Sequence, residues 1–283
     1  MKSIVVLYHN DGDGFGGAWA AWKKFKNKAS YIPVEYNNKN EPPEFLKDKE
    51  IYLIDVCYSV KQMGKILVEN KKVVVLDHHE TSRQASKIST EHLFEIKSSA
   101  AILAWRYFHP KKKIPKLLSY INDFDLWLFK LKETKQISAV LEIYNNKFEA
   151  WEKVAKDLEN SRTRKKYLEQ GDVILKYQNK LVNFIIRQAI PVDFEGKKAL
   201  AVNSNILESE VGNGLVQQGA EVGIIWFIKN GSQLKVSLRS NPKKIDVSKL
   251  ALRHGGGGHK GAAGFTIKFK DGFLFPVFPW KIK

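Results

Sequence analysis

Three short apolar runs, IVVLY (4–8), IYLID (51–55) and VVVLD (73–77), alternate with helical patterns, and each gives way to a polar side chain where it stops: His9, Asp55 and Asp77. Strands that are apolar at nearly every position are buried on both faces, and such runs alternating with helices build a parallel sheet. The N-terminal part is therefore expected to be an α/β domain, a parallel sheet with helices on both faces. Ligands of open parallel sheets bind outside the carboxyl ends of the strands. His9, Asp11, Asp13, Asp55, Asp77, His78 and His79 should accordingly converge on one edge. A single Asp at a strand end is ordinarily a turn former or helix cap, but three strands sharing the habit point to a site.

The stretch HNDGDGFGG (9–17) admits two chemistries. Gly12, Gly14 and Gly17 satisfy the dinucleotide-binding spacing G-x-G-x-x-G, and Glu35 lies near the place of a ribose-binding acid. That loop works by aiming backbone N–H groups at a pyrophosphate, and Asp11 and Asp13 would set two carboxylates beside those negative charges. With divalent cations the signs reverse. His9, Asp11 and Asp13 then offer an imidazole and two hard oxygen ligands on alternate residues of one loop, and the glycines let it fold tightly. A capped turn with solvated acids is the bland alternative. One more ligand is expected from YINDFDLW, where Asp123 and Asp125 stand as open alternatives and a polar helix face is the competing reading.

At 283 residues, with 43% hydrophobic residues, seven Trp and sixteen Phe, the chain can bury two cores. No apolar run approaches the roughly 20 residues of a membrane span, so a soluble globular protein with no membrane partner is expected. The opening MKSIVVLYHNDGDG reads as a first strand rather than a secretion signal, and the single Cys57 permits no intrachain disulfide; both fit a cytoplasmic location. The expected domains are a catalytic domain over 1–150, a helical connector over 151–192 and a smaller mixed α/β domain over 193–283, with the active site in the cleft between the two domains. In the first, SSAAILAWRYF predicts a helix capped by Ser98, and Leu117, Leu118, Ile121 and Phe124 mark another. In the last, VGIIWFI, the turn KNGS and LKVSLRS predict a hairpin, and Asp246 caps a helix running into GGGG. The apolar tail FLFPVFPWKIK suggests no function. The net charge of +17 is compatible with polyanionic partners, although Lys-rich surfaces also serve solubility.

Imidazole and carboxylate donors suit Mn²⁺, Mg²⁺, Fe²⁺ or Co²⁺ better than they suit structural zinc. Their number is sufficient for two ions roughly 3.5–4 Å apart with Asp55 as the bridging carboxylate. Such a pair acidifies a water, aligns it with phosphorus and stabilises charge on phosphoryl oxygens, which is phosphoester hydrolysis. Neither a G-x-S-x-G elbow nor a Walker loop competes.

These residues resemble the DHH phosphoesterases: H-x-D-x-D-G is His9 to Gly14, the second-strand acid is Asp55 and the signature triplet is Asp77-His78-His79. At the far end, GGGGHKGAAGF (255–265), preceded by VSLRS and DVSKLA, resembles the DHH-associated C-terminal domain of nanoRNases and RecJ-type exonucleases. The resemblance implies a first metal on His9, Asp11 and Asp55, and a second on Asp13, Asp55, His78 and Asp123. Asp123 is preferred to Asp125 by position, with NDFDLW standing in place of the family's GDTG-like fourth motif. It further implies two divalent ions, Mn²⁺ first and Mg²⁺ as the alternative. Asp77 would orient the histidines and His79 would face the scissile phosphate, so Asp77, His79 and Asp55 are the expected catalytic residues. Arg239, with Gly256, Gly257, Gly258 and His259, is expected to grip the nucleotide end of the substrate. Without the resemblance, GGGG reads as a helix stop and loose turn, and Arg239 as a solvated strand residue.

The expected function is a metal-dependent phosphodiesterase or exonuclease that trims short single-stranded RNA or DNA oligonucleotides to mononucleotides, extending to linear dinucleotides or pAp, as a monomer or homodimer. A length without a further oligonucleotide-binding domain favours short substrates. The alternatives are a cyclic-dinucleotide phosphodiesterase, a polyphosphate or pyrophosphate hydrolase, a catalytically silent nucleic-acid-binding module and a nicotinamide-binding protein.

Overall fold

The computed structural model describes residues 2–34, 41–269 and 278–282; Glu35 and residues 273–277 of the apolar tail lie outside the described residues. The chain divides into two compact units, 1–175 and 176–283.

In chain order the first unit runs β1 (Ile4–His9), α1 (Gly12–Phe25), β2 (Ala29–Val34), β3 (Glu50–Ile54), α2 (Val60–Glu69), β4 (Lys72–Asp77), α3 (Arg83–Ser86), β5 (Glu91–Phe94), α4 (Ala100–Phe108), α5 (Lys116–Asp125), α6 (Thr134–Leu141) and α7 (Phe148–Glu159), and α8 (Ser161–Ile186) crosses into the second. Among the described residues the strands form a sheet in the order β2-β1-β3-β4-β5 with every neighbouring pair parallel. The period-two alternation of the strands explains their unbroken apolar sequences. Val6, Tyr8, Tyr52, Ile54, Val74 and Leu76 face one core with α1, α4, α5 and α7. Val5, Leu7, Ile51, Leu53, Val73 and Val75 face the other with Met63 and Ile66 of α2. Each fully buried Val, Leu or Ile contributes about 1.5–3 kcal/mol, which is why neither face tolerates a polar position.

In the order 2-1-3-4-5 the chain leaves β1 toward one side and β3 toward the other, so a crevice opens at the carboxyl ends of β1 and β3. Trp151, Val154, Leu158 and Tyr167 pack into the same core as α1. The start of the stretch expected to act as a connector thus lends its apolar face to the first unit, and the division between units falls inside α8.

The second unit contains β6 (Ile190–Phe194), β7 (Lys197–Asn203), α9 (Glu208–Gln217), β8 (Val222–Lys229), β9 (Gln233–Arg239), α10 (Val247–Arg253), β10 (Gly257–His259), β11 (Ala262–Lys268) and β12 (Lys281–Ile282). Its sheet has the order β10-β11-β9-β8-β7-β6-β12; β7 and β8, joined through α9, are parallel and the other pairs antiparallel. The β8–β9 hairpin turns through left-handed Asn230 and Gly231, as KNGS suggested. Asp246 caps α10 by accepting from the Ser248 N–H at 3.1 Å. Among the described residues no helix is long and apolar enough to cross a membrane.

Candidate metal centre

The glycine-rich stretch after β1 is the first turn of a helix, not a loop, because α1 begins at Gly12. Asp11 caps it: its Oδ1 accepts from the Gly14 N–H at 2.9 Å. The glycines serve close packing. A Cβ on Gly14 would lie 2.1 Å from the His9 carbonyl oxygen, and one on Gly17 would lie 2.3 Å from Ile54 Cγ2 in β3. The helix terminus that a dinucleotide fold would turn toward a pyrophosphate is already occupied by a carboxylate.

Asp13, in the same turn, is buried and points to the start of α4. Its Oδ2 accepts from the Ala100 N–H at 2.7 Å and its Oδ1 from the Ala101 N–H at 3.0 Å. The preceding N–H, of Ser99, bonds Asn122 Oδ1 at 2.8 Å. Ser98, the expected cap, instead donates its hydroxyl to Glu95. The N–H groups of Ser99, Ala100 and Ala101 at the start of α4 are therefore met by side chains distant in sequence, with a positive helix terminus holding the Asp13 carboxylate in place. Asn122 was not singled out from the sequence, and an Asn on a helix face carries no signal there that would have found it.

Asp55 follows β3 in a left-handed conformation, φ +59°, which Asp adopts more readily than most side chains. The turn, pinned by the Asp55 N–H to Leu76 carbonyl bond at 3.0 Å, aims its carboxylate into the crevice. Asp55 Oδ2 lies 3.4 Å from His9 Nδ1, and Oδ1 lies 3.3 Å from His78 Nε2 and 3.5 Å from His79 Nδ1. His9 Nδ1 is also 2.8 Å from Asp11 Oδ2. Asp77 ends β4 fully buried, and its Oδ1 accepts from the His78 and His79 N–H groups and meets His79 Nδ1 at 2.8 Å. Asp77 thus orients the His79 ring directly and His78 only through the backbone.

The fourth-motif acid departs from the sequence expectation. Asp123 accepts at Oδ1 from the Lys130 N–H (2.9 Å) and at Oδ2 from the Leu131 N–H (3.1 Å) and the Thr134 hydroxyl (2.5 Å), so its carboxylate holds the following loop. Asp125 Oδ2 instead lies 3.5 Å from His78 Nε2. Two residues on a helix lie about 200° apart, so Asp123 and Asp125 cannot serve the same face.

Two triplets of ligand atoms lie within 4.8 Å of one another, His9-Asp11-Asp55 and Asp13-Asp55-His78, and Asp55 belongs to both. A third, Asp55-Asp77-His79, meets the same limit. The protein groups alone leave this cluster unbalanced. Asp55 Oδ1, Asp77 Oδ2 and Asp125 Oδ2 are buried with no hydrogen-bond partner among the described residues. Burial, with Asp125 and Asp55 facing it, pushes the Asp13 carboxyl well above its usual range. Burial also raises Asp125, to about 7. Burial disfavours the three imidazolium forms, yet the surrounding carboxylates outweigh it: Asp11 and Asp55 raise His9 to about 11, Asp55 and Asp125 raise His78 to about 10, and Asp77 raises His79 to about 9. Carboxylates crowded together against burial and mutual repulsion are neutralised here by protons retained on the imidazoles and carboxyls, and hard divalent cations would take the place of those protons. The donor set of carboxylates and imidazoles fits such ions.

In the second unit Arg239, at the end of β9, and His259, at the end of β10, are both register partners of Ala262. Residues directly opposite share a sheet face, so the two lie in one cross-strand row roughly 10 Å apart. Arg239 is anchored: Nη1 donates to the Leu238 carbonyl and Nη2 to the Ser209 hydroxyl, each at 2.9 Å. The glycines differ from expectation. Gly255, at φ +75°, and Gly256 close α10 by donating to the carbonyls of Leu252 (3.0 Å) and Ala251 (2.9 Å), so the Gly256 N–H is not free for a phosphate. Gly257 and Gly258 are strand residues of β10, and a Cβ on Gly258 would come 2.6 Å from the Ala262 carbonyl oxygen.

Residues 196–273 match the DHHA1 domain. The chain is 30% identical to uncharacterised protein R106 of Acanthamoeba polyphaga mimivirus over 95% of its own length and 69% of that protein. It is 22% identical to the oligoribonuclease NrnB of Bacillus subtilis over 92% of its length and 71% of the relative. The chain belongs to the DHH family. The DHH fold is seen again in the solved DHH domain of a member of a family of ribosomal proteins, with a TM-score of 0.62 at 13% identity, covering 95% of this chain and 83% of that one. The DHH triplet that names the family begins here at the end of β4, where Asp77 grips the His79 imidazole and the backbone of His78.

Proposed function

We propose that this DHH-family chain is a divalent-metal-dependent phosphodiesterase that trims short RNA or DNA oligonucleotides to mononucleotides. The observation that carries the reading is the pair of ligand triplets sharing Asp55 at the switch point of a parallel sheet. The similarity to an oligoribonuclease supports the choice of substrate. His9, Asp11 and Asp55 would hold one ion, and Asp13, Asp55, His78 and Asp125 a second, with Mn²⁺ preferred and Mg²⁺ as the alternative. Bound there, the ions supply Lewis-acid charge to phosphoryl oxygens and acidify a water.

The chain's own residues do the rest. Asp13 and Asp55 are held by backbone contacts to α4 and β4, so the carboxylates are in position before substrate arrives. His79, gripped at Nδ1 by Asp77, presents Nε2 to the substrate, where it donates to a phosphoryl or leaving oxygen. Arg239 and His259 bind the nucleotide's terminal phosphate, Arg239 through the N–H groups left after its two anchoring bonds.

Single-turnover cleavage of end-labelled 2-mers, 5-mers and 20-mers of RNA and DNA, with Mn²⁺, Mg²⁺ or EDTA, tests the reading. Metal-dependent release of mononucleotides, fastest on the shortest strands, is expected. Salt-sensitive binding without cleavage under any metal would replace it with a silent nucleic-acid binder.

A further inference from the structure

The loop after α5 spends stability on presenting an aromatic surface to water. Trp127 and Phe129 both hold left-handed backbone, φ +55° and +49°, a conformation that strains residues carrying a bulky side chain. Asp123 enforces it. Besides the three bonds made by its carboxylate, its carbonyl oxygen accepts from the Leu128 N–H at 2.9 Å. The strain does not serve to bury the apolar side chains of the loop, since Trp127, Leu128 and Leu131 remain 37%, 42% and 40% exposed.

The indole is braced rather than loose. The Trp127 and Phe129 ring centroids lie 4.8 Å apart at 76°, and Phe124 backs Trp127 at 5.5 Å. Lys135 Nζ lies 4.9 Å from the Phe129 ring, and Lys130 and Lys132 are exposed on the same loop. Trp127 is two residues beyond Asp125, which faces His78, so their Cα atoms are at most about 7 Å apart. A fixed aromatic face edged by lysines, one short chain step from the metal-centre acid, matches a nucleotide: base on the ring, backbone phosphates on the cations.

We propose that Trp127, braced by Phe129 and Phe124, is the base-stacking platform for the nucleotide whose phosphate is cleaved. The inference rests on the reading of the centre as a nucleotide phosphodiesterase and adds a subsite to it. Stacking accepts any π-face, so the platform favours base-bearing substrates over baseless ones without choosing among bases. Asp123 acts through the loop and is a positioning residue.

The test compares wild type, Trp127→Ala and Trp127→Phe on a dinucleotide and on its abasic analogue, reading KM and kcat separately. In parallel, calorimetry with Mn²⁺ compares binding of adenosine 5′-monophosphate and ribose 5-phosphate. Trp127→Ala is expected to raise KM for the dinucleotide roughly 10-fold, with a smaller change in kcat, and to bring the base-bearing to abasic ratio of kcat/KM toward one. Trp127→Phe, which keeps an aromatic ring, should retain most of the preference. An unchanged preference in Trp127→Ala, or equal losses on both substrates, would overturn the platform. Should the wild type cleave no oligonucleotide, the proposed function fails, and calorimetry alone judges the platform: a preference for the base-bearing ligand that Trp127→Ala abolishes sustains it, and equal binding of both ligands by the wild type refutes it.

Discussion

Asp13→Ala should unfold the first unit more easily even when no metal is present, because the carboxylate has a second duty at the start of α4. Its two oxygens accept the Ala100 and Ala101 N–H groups at 2.7 and 3.0 Å, both in buried surroundings. A buried N–H left without an acceptor costs about 1–3 kcal/mol, so the pair costs about 2–6 kcal/mol. Removing one carboxylate from a crowded cluster relieves repulsion with Asp55 and Asp125 and offsets about 1–2 kcal/mol of that, leaving a net loss of about 1–4 kcal/mol. Asp11→Ala provides the contrast. Asp11 is exposed, makes one capping bond to Gly14 and pairs with His9 Nδ1 at 2.8 Å near solvent, where such pairs add little, so its loss should cost about 1 kcal/mol. Asp13→Asn keeps one acceptor oxygen and should fall between the two. Urea unfolding in EDTA, followed by circular dichroism, measures all three free of metal linkage. If Asp13→Ala proved as stable as Asp11→Ala, the carboxylate would not be holding α4.

Three further outcomes follow from the same geometry. Asp125→Asn should weaken Mn²⁺ binding by at least about 10–100-fold in titration calorimetry, whereas Asp123→Asn should weaken it less and chiefly destabilise the loop; the reverse ranking would restore Asp123 as the ligand. Gly14→Ala places a Cβ 2.1 Å from the His9 carbonyl oxygen, so strand end and helix must separate; a loss above about 2 kcal/mol together with lost Mn²⁺ binding is expected, and normal binding would show that the turn yields cheaply. Burial raises Asp125 to about 7, Asp55 and Asp11 adding to it against the pull of His78, so the folded chain keeps a proton that the unfolded chain releases near 3.8. Its contribution to stability is present below that lower value and lost as pH rises through about 7; thermal midpoints in EDTA between pH 5 and 8 should therefore fall more steeply for wild type than for Asp125→Asn, and equal slopes would refute the assignment.

What the sequence determined by itself was whatever a strand end expresses locally. Apolar runs that needed cover on both faces dictated the parallel sheet, and acids and histidines placed where those runs stop had to meet at its carboxyl edge, so His9, Asp11, Asp13, Asp55, Asp77, His78 and His79 were legible before any coordinates. Tertiary structure decided what depends on which way an element turns. Asp123 and Asp125 sit on opposite sides of α5, and only the packing of Leu117, Leu118 and Ile121 against the core selects the side that faces the crevice. Ser98 looked like a cap because capping is usually local, but Asp13, 87 residues from Ala100, reaches the helix first through the fold. Neither the glycine pattern of α1 nor GGGG distinguishes a phosphate cradle from close packing, since both demand a missing Cβ, and the neighbour that would meet that Cβ exists only once the chain has folded.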